Sequence, residues 1–297
     1  MNQPTNPITG NTDVFLVDTF EPDRIVSQYK EELGLDVQRY FADIKVLNLF
    51  ECSKTGYRFF YPFDLAGDGD FYGELSGALD AYYPERWEHR LARDHLVPND
   101  RILEIGCGSG QFLELVRKKG AESQGIELSI ASVDTCLRRD FSVELATIEQ
   151  YSQKTEKTFS AICFFQVLEH VSDISGFMNS VKTVVEPGGK IMLSVPNNNP
   201  YLFKYDKYHT LNCPPHHMGL WNKKSLIAMG SQFGLNTTDV KIEPNYMLKR
   251  QFGLMLEQRP SLAWLKPILN LTPRKLLRLF ANFFEGRNIF VVYQVPE

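Results

Sequence analysis

The stretch Leu103–Gly110, LEIGCGSG, sets glycines at every second position and places a carboxylate, Glu104, two residues ahead of the first. Glycine lets the backbone turn sharply and lets a ligand approach it. Gly106, Gly108 and Gly110 therefore mark a place where a nucleotide-like molecule could lie against the main chain. A tight turn that holds nothing is the plainer reading of such a triplet, and two acids weigh against it. Glu104 would repel a diphosphate and attract a cationic group. Glu127, in GIELS, ends the next apolar run, where a carboxylate can accept hydrogen bonds from both hydroxyls of a ribose. The spacing G-x-G-x-G puts Gln111 where the dinucleotide fingerprint has its third glycine, which disfavours NAD and FAD.

A second group of reactive side chains is imidazole. His216 and His217 stand together in PPHHMGLW, and His170 lies in LEHV. Histidine suits a general base because its ordinary pKa lies near neutrality. The alternative is that one of the pair packs or caps while the other faces water. Adjacent histidines are expected to point apart and no carboxylates are spaced to complete a ligand set, so no metal is expected. The five cysteines are scattered without a C-x-x-C pair, which excludes a disulfide framework and a zinc cluster. Cys107, Cys136 and Cys163 read as small buried apolar residues.

These groups need elements to hold them. From Arg101 to Val195, apolar strands such as RILEI and FSAICFFQV alternate with helical stretches such as GQFLELVRKK and DISGFMNSVKTVV, the pattern of a parallel sheet covered on both faces. Gly120 falls where a helix C-cap belongs, and EPGGK reads as a tight turn. Ahead of the sheet, Trp87 and Leu91 keep helical spacing up to Pro98. Residues 1–13 read as a loose tail, and VLNLFECSKTGYRFFYPFD as a hairpin. Residues 1–84 would form a tail and cap lobe, and 85–297 a second domain with inserts near 197–221 and 245–286. The later insert holds TPRKLLRLFANFFEG, read as one helix with Thr272 as N-cap, Pro273 at N1 and Gly286 past its end. Leu276, Leu277, Phe280, Phe283 and Phe284 share a face of it, which suggests a lid packed on its own domain, with a membrane surface as the alternative.

Composition narrows the partners. The 297 residues carry a formal net charge of -4 with both signs interspersed, which argues against a nucleic-acid footprint. No apolar run reaches the roughly 20 residues of a membrane span, the start lacks a secretory pattern, and a cytoplasmic location is expected. The pattern does not address oligomeric state.

With LEIGCGSG, GIELS, FFQVLEHV and VVEPGGKIMLSVPN in that order, the sequence resembles the class I S-adenosylmethionine-dependent methyltransferases over about residues 85–244 and the last strand. The resemblance implies an α/β, doubly wound, mostly parallel seven-stranded sheet of Rossmann-like form, here with a small amino-terminal lobe and a helical insert. It implies S-adenosylmethionine as cofactor, with Glu104, Gly106, Gly108 and Gly110 as loop contacts and Glu127 as the ribose ligand. Leu128, Thr147 and Ile148 would neighbour the adenine, Gln166 would end the fourth strand beside the ligand, and Tyr72 and Tyr83 would cover it. Many members have an acid at the end of the third strand for the adenine amine, whereas this chain has LATIEQY. ECSKTGYRFFYP resembles a zinc-ribbon hairpin with Thr55 where a second cysteine would stand, read as metal-free and packed over the active site. The expected activity is methyl transfer to an O, N or C atom of a small metabolite, with His216, His217 or His170 as base. A non-catalytic S-adenosylmethionine-binding sensor or scaffold is the alternative, and a nicotinamide oxidoreductase a third reading.

Overall fold

The computed structural model of the chain describes residues 4–78, 86–198 and 206–297. Alternating apolar residues build a first sheet from β1 (Val14–Phe20), β2 (Leu47–Cys52) and β3 (Arg58–Tyr61), in which Leu47 and Leu49 turn inward. The hairpin expected around Lys54–Gly56 is present, joining β2 to β3. The amino-terminal segment is less loose than its composition suggests. Asn6 and Ile8 are buried, and the Asn6 side chain donates to Thr55 Oγ1 (3.4 Å), so the hairpin turn supplies the partner that orders it.

The second sheet takes β4 (Arg101–Ile105), β5 (Glu122–Glu127), β6 (Ser142–Leu145), β7 (Phe159–Phe165) and β8 (Val185–Pro196). The two-residue β9 (Gly219–Leu220) leaves for the first sheet, and β10 (Asn236–Pro244) and β11 (Glu285–Gln294) complete the second. Its order is β10-β11-β8-β7-β4-β5-β6, with β11 antiparallel to both neighbours and the other pairings parallel. This is the expected doubly wound α/β sheet. The winding reverses at β4, which has β5 on one side and β7 on the other, and ligands of such sheets bind beyond the carboxyl ends of the strands at that reversal.

Burial on both faces fixes the layers. Leu103, Ile162, Phe164 and Leu193 pack with Phe177, Met178 and Val181 of the helix Ile174–Val184. Ile102, Ala161 and Phe165 pack on the other face with Ala92, Phe112 and Val116. Gly120 caps the helix Gln111–Lys119 in a left-handed conformation, as expected. EPGGK, read as a turn, lies within β8.

Both inserts depart from a simple two-domain reading. β9 pairs with β3, Tyr29 Oη donates to the Cys213 carbonyl (2.9 Å) and Phe60 N–H to the Met218 carbonyl (2.9 Å), so the insert after β8 completes the amino-terminal lobe. In the later insert the single long helix is absent. A helix spans only Arg274–Arg278 with Pro273 as its N-cap, a 3-10 turn follows at Ala281–Phe283, and Gly286 belongs to β11. The expected lid packing is also absent. No residue of Lys266–Leu271 or Arg274–Arg278 is buried, and these short helices pack on the helix Leu248–Glu257 of the same insert. No helix among the described residues is long and apolar enough to cross a membrane.

Phe112 is fully buried, with the Phe165 and His89 rings centred 4.9 and 5.5 Å away. Phe112→Ala should lower the unfolding free energy in urea titration by about 3–5 kcal/mol, the usual cost of emptying an aromatic core position. A loss below 1 kcal/mol would contradict the layer packing.

Candidate functional site

At the carboxyl end of β4 the chain turns through Gly106, Gly108 and Gly110, all three with positive φ, which only glycine adopts without strain. A Cβ on Gly106 would meet Val167 Cγ2 at 2.6 Å, and one on Gly110 would meet Phe141 and Cys136 at 3.0–3.1 Å. A Cβ on Gly108 would make only an ordinary contact, 3.9 Å from Gln111 Oε1. Glu127, at the end of β5, fixes it: Gly108 N–H donates to Oε2 (2.8 Å), while Leu128 and Ser129 N–H donate to Oε1 (2.8 and 2.9 Å). Oε1 already accepts two bonds, whereas Oε2 accepts one and keeps a second lone pair for a ligand's hydroxyl.

Glu104 is 3 % exposed and its Oε2 has no hydrogen-bond partner. Burial, then the nearby Cys136 and Glu127, pushes its carboxyl well above the usual range. An orphaned acid beneath a glycine loop gains from a cationic or hydrogen-bonding ligand. Leu128 is exposed and offers an apolar face beside Glu127. Gln166 ends β7 with φ +56°, a strained position for a side-chain-bearing residue, and its amide donates to Ser194 Oγ (3.2 Å). Thr147 and Ile148 have structural work: Thr147 Oγ1 accepts from Gln150 N–H (3.2 Å) in a capping box, and Ile148 packs in the main core. Tyr83 lies outside the described residues.

The three histidines converge, contrary to the expectation that His216 and His217 point apart. Their rings are 4.5 Å apart and nearly parallel, and His170 is centred 4.5 and 5.0 Å from them. The turn after the 3-10 segment Thr210–Asn212 folds both side chains back onto it. His170 Nδ1 lies 2.6 Å from the His216 carbonyl, His216 Nδ1 2.9 Å from the Leu211 carbonyl, and His217 Nδ1 3.2 Å from Asn212 Oδ1. Each acceptor calls for a proton on Nδ1, which leaves lone pairs at Nε2. Burial lowers the pKa of His170 to about 4 and of His216 to about 3, and holds His217 well below the ordinary value. All three are neutral at pH 7. They offer ligand atoms within 4.8 Å of one another, so the spacing that argued against a metal does not hold. Tyr72 stands over His170 and His216, ring centroids 5.5 and 6.2 Å away, on the histidine side of the site.

Sequence reasoning missed Glu169, the residue before His170. It is 1 % exposed, neither oxygen has a hydrogen-bond partner, and Oε1 lies 4.0 Å from His170 Nε2. Burial pushes its pKa up to about 8. Its signal was an acid inside an apolar LEHV run. Asn212 was also missed; it links His217 to Asn198, whose Oδ1 accepts from Asn212 Nδ2 (2.9 Å). A groove of about 810 Å³ beside Thr5–Gly10 is a separate feature. Its Asp173 caps a helix and its Lys182 donates to the Phe233 carbonyl, so its charged groups are already engaged.

Two outcomes test this geometry. A lowered folded pKa means a histidine stays neutral as pH falls below its unfolded value near 6.5 and takes up a proton only near its folded one. NMR titration should therefore show His170 and His216 unprotonated down to about pH 5, following the lowered values; midpoints near 6.5 would contradict the buried cluster. Gly106→Ala should cost about 1–3 kcal/mol in urea titration through left-handed strain and the Val167 contact, and an unchanged midpoint would contradict it.

Residues 79–240 match the methyltransferase-domain family, more than half of the chain. The ubiquinone biosynthesis O-methyltransferase of Alkalilimnicola ehrlichii is 35% identical over 111 residues, covering 35% of this chain and 45% of that protein. The protein of the same name from Xanthomonas campestris pv. campestris is 29% identical over 133 residues, covering 42% and 54%. The chain thus spans about half the length of the curated relatives it matches. A solved structure of a candidate sarcosine dimethylglycine methyltransferase from Galdieria sulphuraria superposes with a TM-score of 0.50 at 15% identity, covering 77% of this chain and 98% of that one, a likeness of fold. With the family match falling on the glycine loop, Glu127 and the strand ends around them, the chain belongs to the methyltransferase-domain family.

Proposed function

We propose that the protein transfers the methyl group of S-adenosylmethionine to an O, N or C atom of a small molecule held against His170, His216 and His217. The observation that carries this reading is the Glu127 carboxylate, fixed by three backbone N–H groups beside the glycine loop that leaves β4. The residues present fit the cofactor: Glu127 for the ribose diol, Gly106, Gly108 and Gly110 for close approach, Leu128 for the base, and Glu104 for the cationic end. When bound, the cofactor supplies an activated methyl group on a sulfonium. Thr147, Ile148 and Gln166 contribute to the adenine side mainly through backbone and shape, since their side chains are engaged elsewhere.

The chain's own part is alignment and proton handling. An acceptor hydroxyl or amine would donate to a neutral Nε2 of the histidine cluster, and its proton would pass to that nitrogen as the nucleophile reacts. Glu169, largely protonated at neutral pH with its raised pKa, can donate to or accept from the same acceptor. Tyr72 would close the acceptor side. The names of the bacterial relatives support oxygen as the acceptor atom.

We also infer that 1–84 acts as a cap lobe on a methyltransferase domain of 85–297, with the insert near 197–221 shared between them, as the β3–β9 pairing supports. The β2–β3 hairpin would be a zinc-ribbon form that has lost its metal, with the Thr55 hydroxyl hydrogen-bonded where a thiolate would stand. The five cysteines, buried and free, support a cytoplasmic setting.

Isothermal titration should show S-adenosylmethionine binding one site per chain, and folded protein without binding would end the proposal. Glu127→Ala should weaken that affinity about a hundredfold by losing a hydrogen bond to a charged group, while unfolding changes by about 1–2 kcal/mol. Equal losses in binding and folding would contradict the ribose role.

A further inference from the structure

The insert between β10 and β11 is built unlike the rest of the protein. Its helices Lys266–Leu271 and Arg274–Arg278 and the 3-10 segment Pro260–Leu265 contain no buried residue, although they are rich in leucine and also carry tryptophan. Trp264, Leu271, Leu279 and Phe283 are 66, 83, 71 and 80 % exposed. Single exposed apolar residues are ordinary, but a contiguous set of this size on one segment marks a contact surface. The same segment is cationic. Between Asn245 and Phe284 the chain carries seven Lys and Arg and one acid, Glu257, in a protein whose formal net charge is -4.

We propose that this insert docks the protein on an anionic lipid bilayer. Large apolar side chains would enter the boundary between headgroups and acyl chains, and Arg274, Lys275 and Arg278 would meet the negative headgroups. The charge distinguishes this occupant from a second copy of the chain, because a two-fold contact through this patch would set its positive charges against themselves. The patch is also anchored to the site end of the sheet. β11 begins beside the end of β8, where Asn197 Nδ2 donates to the Gly286 carbonyl (3.1 Å), and Arg250 lies 3.7 Å from Asp206 in the segment that leads to His216. Docking therefore orients the carboxyl edge of the sheet toward the membrane.

The test is co-sedimentation of the full chain with mixed phosphatidylglycerol–phosphatidylcholine vesicles and with pure phosphatidylcholine vesicles, at low and high salt. Binding to the anionic vesicles, weakened by salt and by removal of the anionic lipid, is expected. Leu279→Asp with Phe283→Asp should abolish it with circular dichroism and melting temperature unchanged, since both side chains are exposed. Should that pair fail to fold, Arg274→Gln, Lys275→Gln and Arg278→Gln together alter only exposed side chains and should lower partitioning about a hundredfold, at roughly fivefold per basic residue. No sedimentation of the wild type, binding that survives both variants, or a solution dimer by light scattering that Leu279→Asp with Phe283→Asp dissociates would each overturn the proposal.

Discussion

The Glu127 carboxylate holds together two segments that the fold brings side by side. Its Oε2 accepts from Gly108 in the loop after β4, and its Oε1 from the first two N–H groups after β5. Hydrogen bonds to an ionised acceptor are among the stronger ones available to a protein. Here they fix a glycine-rich loop whose one buried side chain, Cys107, packs with Leu113, Cys136 and Phe141. Parallel pairing of β4 with β5 sets the distance, since Ile105 lies opposite Ile126 and the strands end in register. The carboxylate thus serves the fold, and Oε2 keeps one lone pair beyond that use.

The acceptor side depends on a different construction. A segment leaving β8 crosses to the amino-terminal sheet, adds β9 to it, and on the way turns three imidazoles toward one another. Desolvation keeps them neutral, and carbonyl or amide oxygens at each Nδ1 orient them. The lobe therefore acts as more than a cover. β3 and the buried contacts of Tyr29 and Phe60 fix the segment that carries His216 and His217 from one side, and the Met218 N–H bond to the Glu169 carbonyl fixes it from the other.

Much of the sheet was legible because its signals are local. Apolar runs of strand length, a C-cap glycine at Gly120 and the placement of Glu127 at the end of GIE depend on neighbours a few residues away. What escaped depends on distant partners. His216 and His217 face together because a turn and a pairing with β3, far away in sequence, bend the chain there. Ile148, read as a ligand neighbour at a strand end, also packs in the main core, a contact that periodicity after a short edge strand does not show. The helix read over residues 273–285 had a good amphipathic pattern, yet periodicity reports only that an apolar face exists. It cannot report whether the protein itself supplies what covers that face.

A ribose-bearing, cationic cofactor on the loop that Glu127 fixes should shield the amides around it. Hydrogen exchange with and without saturating S-adenosylhomocysteine tests it at backbone resolution. Protection is predicted in three stretches, Leu103–Gly110, Ile126–Ser129 and Gln166–His170, because they surround the carboxyl ends of β4, β5 and β7. Protection confined to other segments, or none in these three, would contradict it.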